Sequence, residues 1–144
     1  MEELLVYAML YCEGFDVEGL YQSKLDELFL ENSEDELLLE LEFLSGKMKE
    51  SALYLRNYLA MHEFNTDAFG TALMRELQNQ YEALELMEFS KYTYSLWSKL
   101  PEAIQHTQPF WTLCYADEPL SWGDEKQSRE LYEGALNFYL SVEE

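Results

Sequence analysis

The stretch that decides the fold is SEDELLLELEFLSGKMKESALYLRNYLAMHE, residues 33–63. Ser33 followed three residues later by Glu36 is the pattern of a capping box, and acids in a first turn complement the helix dipole. Apolar residues then recur at steps of four and three, at Leu37, Leu41, Leu44, Met48, Ala52, Leu55 and Leu59. This stripe predicts one long amphipathic helix to about residue 63, with Gly46 inside it at a cost of about 1 kcal/mol.

A second long helix is predicted directly after the first, at about 67–99. The run Asn65-Thr66-Asp67 breaks the first pattern and caps the new helix, and Pro101 stops it. Its apolar stripe consists of Phe69, Leu73, Leu77, Leu84, Met87 and Tyr94. A helix of about 30 residues rises about 45 Å, so the two helices are expected to form a long antiparallel hairpin.

Shorter elements are predicted around this hairpin. Helices are expected at 2–12 and at about 17–30, the latter capped by Asp16, and a last helix runs from Ser121 or Asp124 to about 142. Between them, residues 107–121 hold two prolines and no periodicity, which predicts an ordered crossover. Its apolar side chains are expected to pack onto the bundle: Phe110, Trp111, Leu113 and Tyr115. The predicted fold is all-α, a five- to six-helix bundle built on the long antiparallel helical hairpin.

Length and composition favour a single helical domain over residues 1–144. The chain is 48% hydrophobic and 15% aromatic, with six glycines and three prolines. Enough apolar surface is available to offset the ordering entropy, and few residues interrupt helices. The two cysteines, Cys12 and Cys114, lie far apart and predict free thiols in a reducing compartment. With no basic leader and no apolar run of about 20 residues, we expect a cytoplasmic protein without a membrane span.

Charge is the strongest compositional signal. The chain has 29 acidic and nine basic residues, a formal net charge of −20. The acids are concentrated, since residues 13–42 hold eleven of them and a single base, Lys24. Such a field repels phosphate groups, so direct binding to nucleic acid or to anionic lipid is not expected. It attracts basic proteins and divalent cations, although solvated helix faces with no partner are also acidic.

No motif in the sequence predicts catalysis. Glu82, Glu85 and Glu88 have a spacing that could present carboxylates to a metal, as do Glu36 and Glu40, but such spacings are frequent in a chain this acidic. Neither histidine follows a glutamate at the Glu-x-x-His spacing of di-iron bundles, and there is no nucleophile elbow or phosphate loop. We expect no catalytic residues, no metal and no cofactor.

Two groups of residues are candidates for binding a partner. Glu31, Glu34, Asp35 and Glu36 form the first, an acidic group. Trp111 and Tyr115, beside Asp117 and Glu118, form the second, in which aromatic anchors lie next to negative charge. These aromatics could equally close one end of the bundle.

The favoured interpretation is a small acidic module that binds or inhibits a basic partner protein. In its most concrete form the acids of 31–42 occupy a phosphate-binding groove of that partner, as a charge mimic of nucleic acid would. Two alternatives stay open: a carboxylate-dependent metal hydrolase on a helical bundle, and a purely structural or oligomerising helical protein. The oligomeric state is not predicted.

Overall fold

Eleven helices and no strand make up residues 1–143 of the computed structural model, which describes side chains through residue 140. The all-α class is therefore confirmed. The chain divides into two compact units, the first spanning Met1–Phe69 and the second beginning at Gly70. The prediction of a single domain stays a prediction.

The first unit is built on α1 (Glu2–Cys12), which packs against both α2 (Glu18–Glu31) and α4 (Met48–Met61). A short helix, α3 (Glu36–Phe43), packs against α2. The core of the unit consists of leucines and a valine with almost no exposed surface: Leu4, Leu5, Val6, Leu10, Leu25, Leu38, Leu41 and Leu55. The predicted helices at 2–12 and 17–30 are confirmed to within one residue, but α2 begins after Val17 with no side-chain cap, so Asp16 is not its cap.

The predicted long helix at 33–63 is two helices in the structure. Gly46 adopts a φ of +83°, a left-handed conformation that glycine accepts and other residues resist. The turn is closed because the buried Ser51 hydroxyl, from α4, donates to the carbonyl oxygen of Leu44 at 3.2 Å. Met48, predicted to lie on the buried stripe, is 41% exposed because the turn rotates it outward.

The cap of this segment also differs from the predicted capping box. Asp35, not Ser33, is the residue before the first turn of α3, and its Oδ1 accepts from the backbone N–H groups of Leu37 and Leu38. An aspartate carboxylate reaches two free N–H groups from this position, so the helix begins two residues later than a Ser33 cap would start it.

The predicted helix at 67–99 is likewise interrupted. The helix α5 (Thr66–Ala83), capped by Asn65 through the N–H of Ala68, ends before an extended Glu85, and α6 (Leu86–Ser98) follows. The break lets Phe89 pack edge-on against Tyr81 at 5.3 Å and Tyr132 at 5.1 Å. The 45 Å helices, and with them the long hairpin, are not confirmed.

The second unit continues with short helices where a non-periodic crossover is predicted. They are α7 (Glu102–Gln105), α8 (Phe110–Tyr115) and α9 (Glu118–Ser121). The last predicted helix is divided at Asn137 into α10 (Glu125–Leu136) and α11 (Phe138–Glu143), and Asp124 caps it by accepting from the N–H of Gln127 at 3.1 Å. Both α8 and α9 pack against α10, and α6 packs against α8.

Candidate functional site

The eight predicted site residues fall into two groups, one in each unit. The acidic group Glu31, Glu34, Asp35 and Glu36 belongs to the first unit, and Trp111, Tyr115, Asp117 and Glu118 belong to the second. Each group therefore lies within a single unit, and the two groups lie in different units.

The acidic group lies at the turn between α2 and α3. The Glu31 side chain at the end of α2 is exposed, as are those of Glu34 and Glu36, and Asp35 is half-buried by its capping role. Within the described part of the chain, none of the three exposed glutamates forms an ion pair. These carboxylates are left to solvent or to a partner.

Two tyrosines of α4 share the field of these acids. Burial raises the pKa of Tyr54, and the negative charges of Glu40, Glu36 and Asp35 add to that rise. Burial also raises the pKa of Tyr58, and the negative charges of Asp35 and Glu2 add to that rise. We call this surface, formed by Asp35, Glu36, Glu40, Tyr54 and Tyr58, the acidic face.

Among the described residues, no basic side chain forms an ion pair with an acid of the acidic face. Arg56 lies midway between Tyr54 and Tyr58 in sequence, so helical geometry places it on the opposite side of α4 from both. Lys47 instead lies over the ring of Phe43, 5.2 Å from its centroid. The ring of His62 stacks on Tyr58 at 4.1 Å and its Nδ1 is 3.0 Å from the Tyr58 carbonyl oxygen, so it extends the aromatic edge of the face.

A carboxyl pair between α2 and α3 shows the same local excess of acid. Burial raises the pKa of Glu42. A hydrogen bond between its side chain and that of Asp26, and the negative charge of Asp26, raise this pKa further. The amide of Gln22 donates to Asp26 at 3.0 Å. The two acids thus lie against each other and an amide, and not against a cation.

In the second unit, Trp111 and Tyr115 belong to a larger group of rings. Trp111 lies 4.8 Å from the ring of His106 and 6.1 Å from that of Trp97, and Tyr115 lies 6.4 Å from Trp111. Tyr94 contacts Trp97 at 5.9 Å and is 47% exposed. We call these five residues the aromatic cluster.

The cluster is held by a reciprocal pair of hydrogen bonds across α7. The indole Nε1 of Trp97 donates to the carbonyl oxygen of Gln105 at 2.9 Å, and the amide of Gln105 donates to the carbonyl oxygen of Trp97 at 3.1 Å. On α8, Phe110 and Leu113 are buried while Trp111 is 36% exposed. The four crossover side chains are predicted to pack onto the bundle. Trp111 does so through the rings of Trp97 and His106 while remaining partly exposed, one helical turn from half-buried Tyr115.

Sequence reasoning missed Trp97 and His106 as members of this cluster. The usable signal was Pro101, since a chain reversal there brings residues before and after it together.

Asp117 and Glu118 begin the short helix α9. Asp117 is half-buried, and burial raises the pKa of its carboxyl, although a hydrogen bond to its own backbone opposes that rise and the charge of Glu118 adds to it. Burial, then the charges of Glu118 and Asp117, raises the pKa of the Cys114 thiol. Asp117 also lines a cavity of about 360 Å³.

Of the glutamates considered as metal ligands, Glu82, Glu85 and Glu88 do not share one helix. Glu82 lies on α5, Glu85 lies in the break, and Glu88 lies on α6. Among the residues whose positions are described, no group of three or more His, Cys, Asp or Glu side chains is arranged to hold a metal ion. In the same part of the chain, every helix is too short or too polar to cross a membrane.

No family model matches this chain, and no curated protein and no solved structure matches it.

Proposed function

We propose that this protein is a non-enzymatic interaction module that binds a basic partner protein through the acidic face. The observation that carries the proposal is that the carboxylates of Glu36 and Glu40, which form no ion pair among the described residues, are close enough to Tyr54 for their charges to add to the rise in its pKa that burial causes. A lysine or arginine of the partner would gain a carboxylate and an aromatic ring at one position.

Charge and rings contribute differently to such binding. The net charge of −20 steers a basic protein toward the molecule at a distance, which raises the association rate at low ionic strength. Tyr54 and Tyr58 contribute short-range contacts that salt screens less. The proposal therefore predicts a binding constant with a steep salt-dependent part and a smaller part that persists at high salt.

The test compares two variants of equal net charge against one arginine- and lysine-rich probe peptide. The first, Glu34→Gln/Glu36→Gln/Glu40→Gln, removes two acids of the acidic face and the adjacent exposed Glu34, and spares the capping Asp35. The second, Glu88→Gln/Glu130→Gln/Glu133→Gln, removes three exposed acids of the second unit. Fluorescence anisotropy titrations at 50 and 300 mM NaCl give the dissociation constants.

We expect the first variant to bind about tenfold more weakly than the wild type at 50 mM NaCl, and the second to change by less than about threefold. Tyr58→Leu, which keeps every charge, should weaken binding severalfold at both salt concentrations. An equal loss in both triple variants would show that net charge alone attracts the peptide, and the acidic face would then be rejected as the binding site.

The aromatic cluster is the second surface that this function could use. Its rings are large, partly exposed and rigidly held by Gln105, which suits them to contribute contact area at low entropy cost. The two alternative functions lack a comparable observation. Among the described residues, no group of three or more His, Cys, Asp or Glu side chains is arranged to hold the metal that the hydrolase would need. The long helix expected at 33–63 is interrupted at Gly46, so it does not offer one continuous face for self-association.

A further inference from the structure

A cavity in the second unit is lined by side chains of opposite charge. It is lined by Met87, Ser90, Lys91, Asp117, Leu120 and Ser121, from α6, α9 and the residue that precedes α9, and its volume is about 360 Å³. This volume is within the range of about 300–1,000 Å³ that small-molecule sites occupy.

The two charged side chains of the cavity do not neutralise each other. In the described part of the chain, neither Lys91 nor Asp117 forms an ion pair, although both line the same space. Asp117 is half-buried and Lys91 is exposed, so the anion lies deeper than the cation. A ligand that carries both charges could contact each of them across the cavity.

Uncharged groups complete the lining. Met87 and Leu120 provide apolar walls, and Ser90, only 5% exposed, provides a hydroxyl. The Ser90 hydroxyl lies within hydrogen-bonding reach of the hydroxyl of its fully buried neighbour Tyr132.

We propose that this cavity binds a small zwitterionic amine, an α-amino acid with an apolar side chain. Its ammonium group contacts the Asp117 carboxylate and its carboxylate contacts Lys91. Its side chain lies against Met87 and Leu120. The proposal is independent of the acidic face, which belongs to the other unit.

The experiment titrates three probes that share one branched carbon skeleton: L-leucine, 3-methylbutylamine, which lacks the carboxylate, and 4-methylpentanoate, which lacks the ammonium group. Binding is followed by the NMR signal of the Met87 methyl group. We expect L-leucine to bind at least about tenfold more tightly than either fragment, because each fragment leaves one charged side chain without its partner.

Two variants test the roles of the charges. Asp117→Asn should abolish the preference for L-leucine over 4-methylpentanoate, and Lys91→Gln should abolish the preference over 3-methylbutylamine. The exposed control variants Glu130→Gln and Lys126→Gln should bind L-leucine as the wild type does. The proposal is overturned if L-leucine leaves the Met87 signal unchanged, or if 3-methylbutylamine binds as tightly as L-leucine, which would indicate a site for ammonium groups alone.

Discussion

Asp35 links stability and recognition at the scale of a single residue. Its carboxylate accepts two backbone N–H groups at the start of α3, at 2.9 Å and 3.2 Å, while its charge raises the pKa of Tyr58 on the neighbouring helix. The neighbouring acids Glu34 and Glu36 cap nothing and are exposed. Asp35 therefore positions the helix that carries the acidic face, and its neighbours are available to a partner.

Replacing Asp35 by alanine should lower the free energy of unfolding by about 1 kcal/mol, because two N–H groups of α3 lose their acceptor. Ser33→Ala is the matched control, since Ser33 is exposed and does not cap α3. It should change stability by no more than a few tenths of a kcal/mol. Urea unfolding followed by circular dichroism measures both, and a larger loss in Ser33→Ala would instead favour the capping box.

At the scale of elements, the short turn at Gly46 separates what would otherwise be one helix. The left-handed backbone of Gly46 and the hydrogen bond from Ser51 to Leu44 turn the chain between α3 and α4. The turn allows α3 to pack on α2 while α4 packs on α1. It is also what places the acids of α3 beside the tyrosines of α4.

The substitution Gly46→Ala distinguishes a turn at this position from a continuous helix, because the change in stability has the opposite sign in the two cases. No atom lies within 4 Å of the added Cβ, so the expected loss of about 1 kcal/mol comes from the left-handed backbone alone. In a continuous helix the same change would stabilise by about 1 kcal/mol. Gly134→Ala, inside α10 and equally free of contacts, serves as the control and should stabilise by about 0.5–1 kcal/mol. Thermal or urea unfolding of the two variants should therefore shift in opposite directions.

Local patterns predicted most helical residues but not where two helices break. The stripe from Leu37 to Leu59 is continuous in sequence because both α3 and α4 bury leucines, so period alone cannot distinguish a bend from a straight helix. The break before α6 depends on tertiary contacts of Phe89 with Tyr81 and Tyr132. The residue that caps α3 was also ambiguous in the sequence, because Ser33 and Asp35 are both good N-cap residues.

The sequence predicted which kinds of side chain form the candidate sites, but not all of the residues that belong to them. Charge alone identified Glu34, Asp35 and Glu36, but the tyrosines beside them are known only once α4 is placed next to α3. Trp97 and His106 join Trp111 because the chain reverses through α7, a long-range contact with no periodic signature. Lys91 and Asp117 are separated by 25 residues with no shared motif.

At the scale of the whole molecule, the excess of acid is present in both units. Residues 1–69 contain sixteen acids and four bases, and residues 70–144 contain thirteen and five. Ion pairs such as that of Glu125 with Arg129 at 3.0 Å and of Glu27 with Lys24 at 3.8 Å involve exposed acids. With 29 acids and nine bases, most acids have no basic residue to pair with. Like charges therefore repel one another within each unit, which lowers the stability of the isolated protein. Binding a basic partner would relieve this repulsion.

The melting temperature of the isolated protein should consequently rise with salt. Between 20 and 500 mM NaCl the screening length falls from about 20 Å to a few ångströms, which removes most of the repulsion between surface carboxylates. We expect an increase of roughly 3–5 °C, corresponding to about 1 kcal/mol. A variant with six exposed glutamates changed to glutamine, at positions 31, 34, 36, 88, 130 and 133, should melt higher at low salt and gain less from added salt. Differential scanning calorimetry measures the melting temperatures of the two proteins as a function of salt. If both melting temperatures rise equally with salt, salt acts through general hydration and charge repulsion does not limit stability.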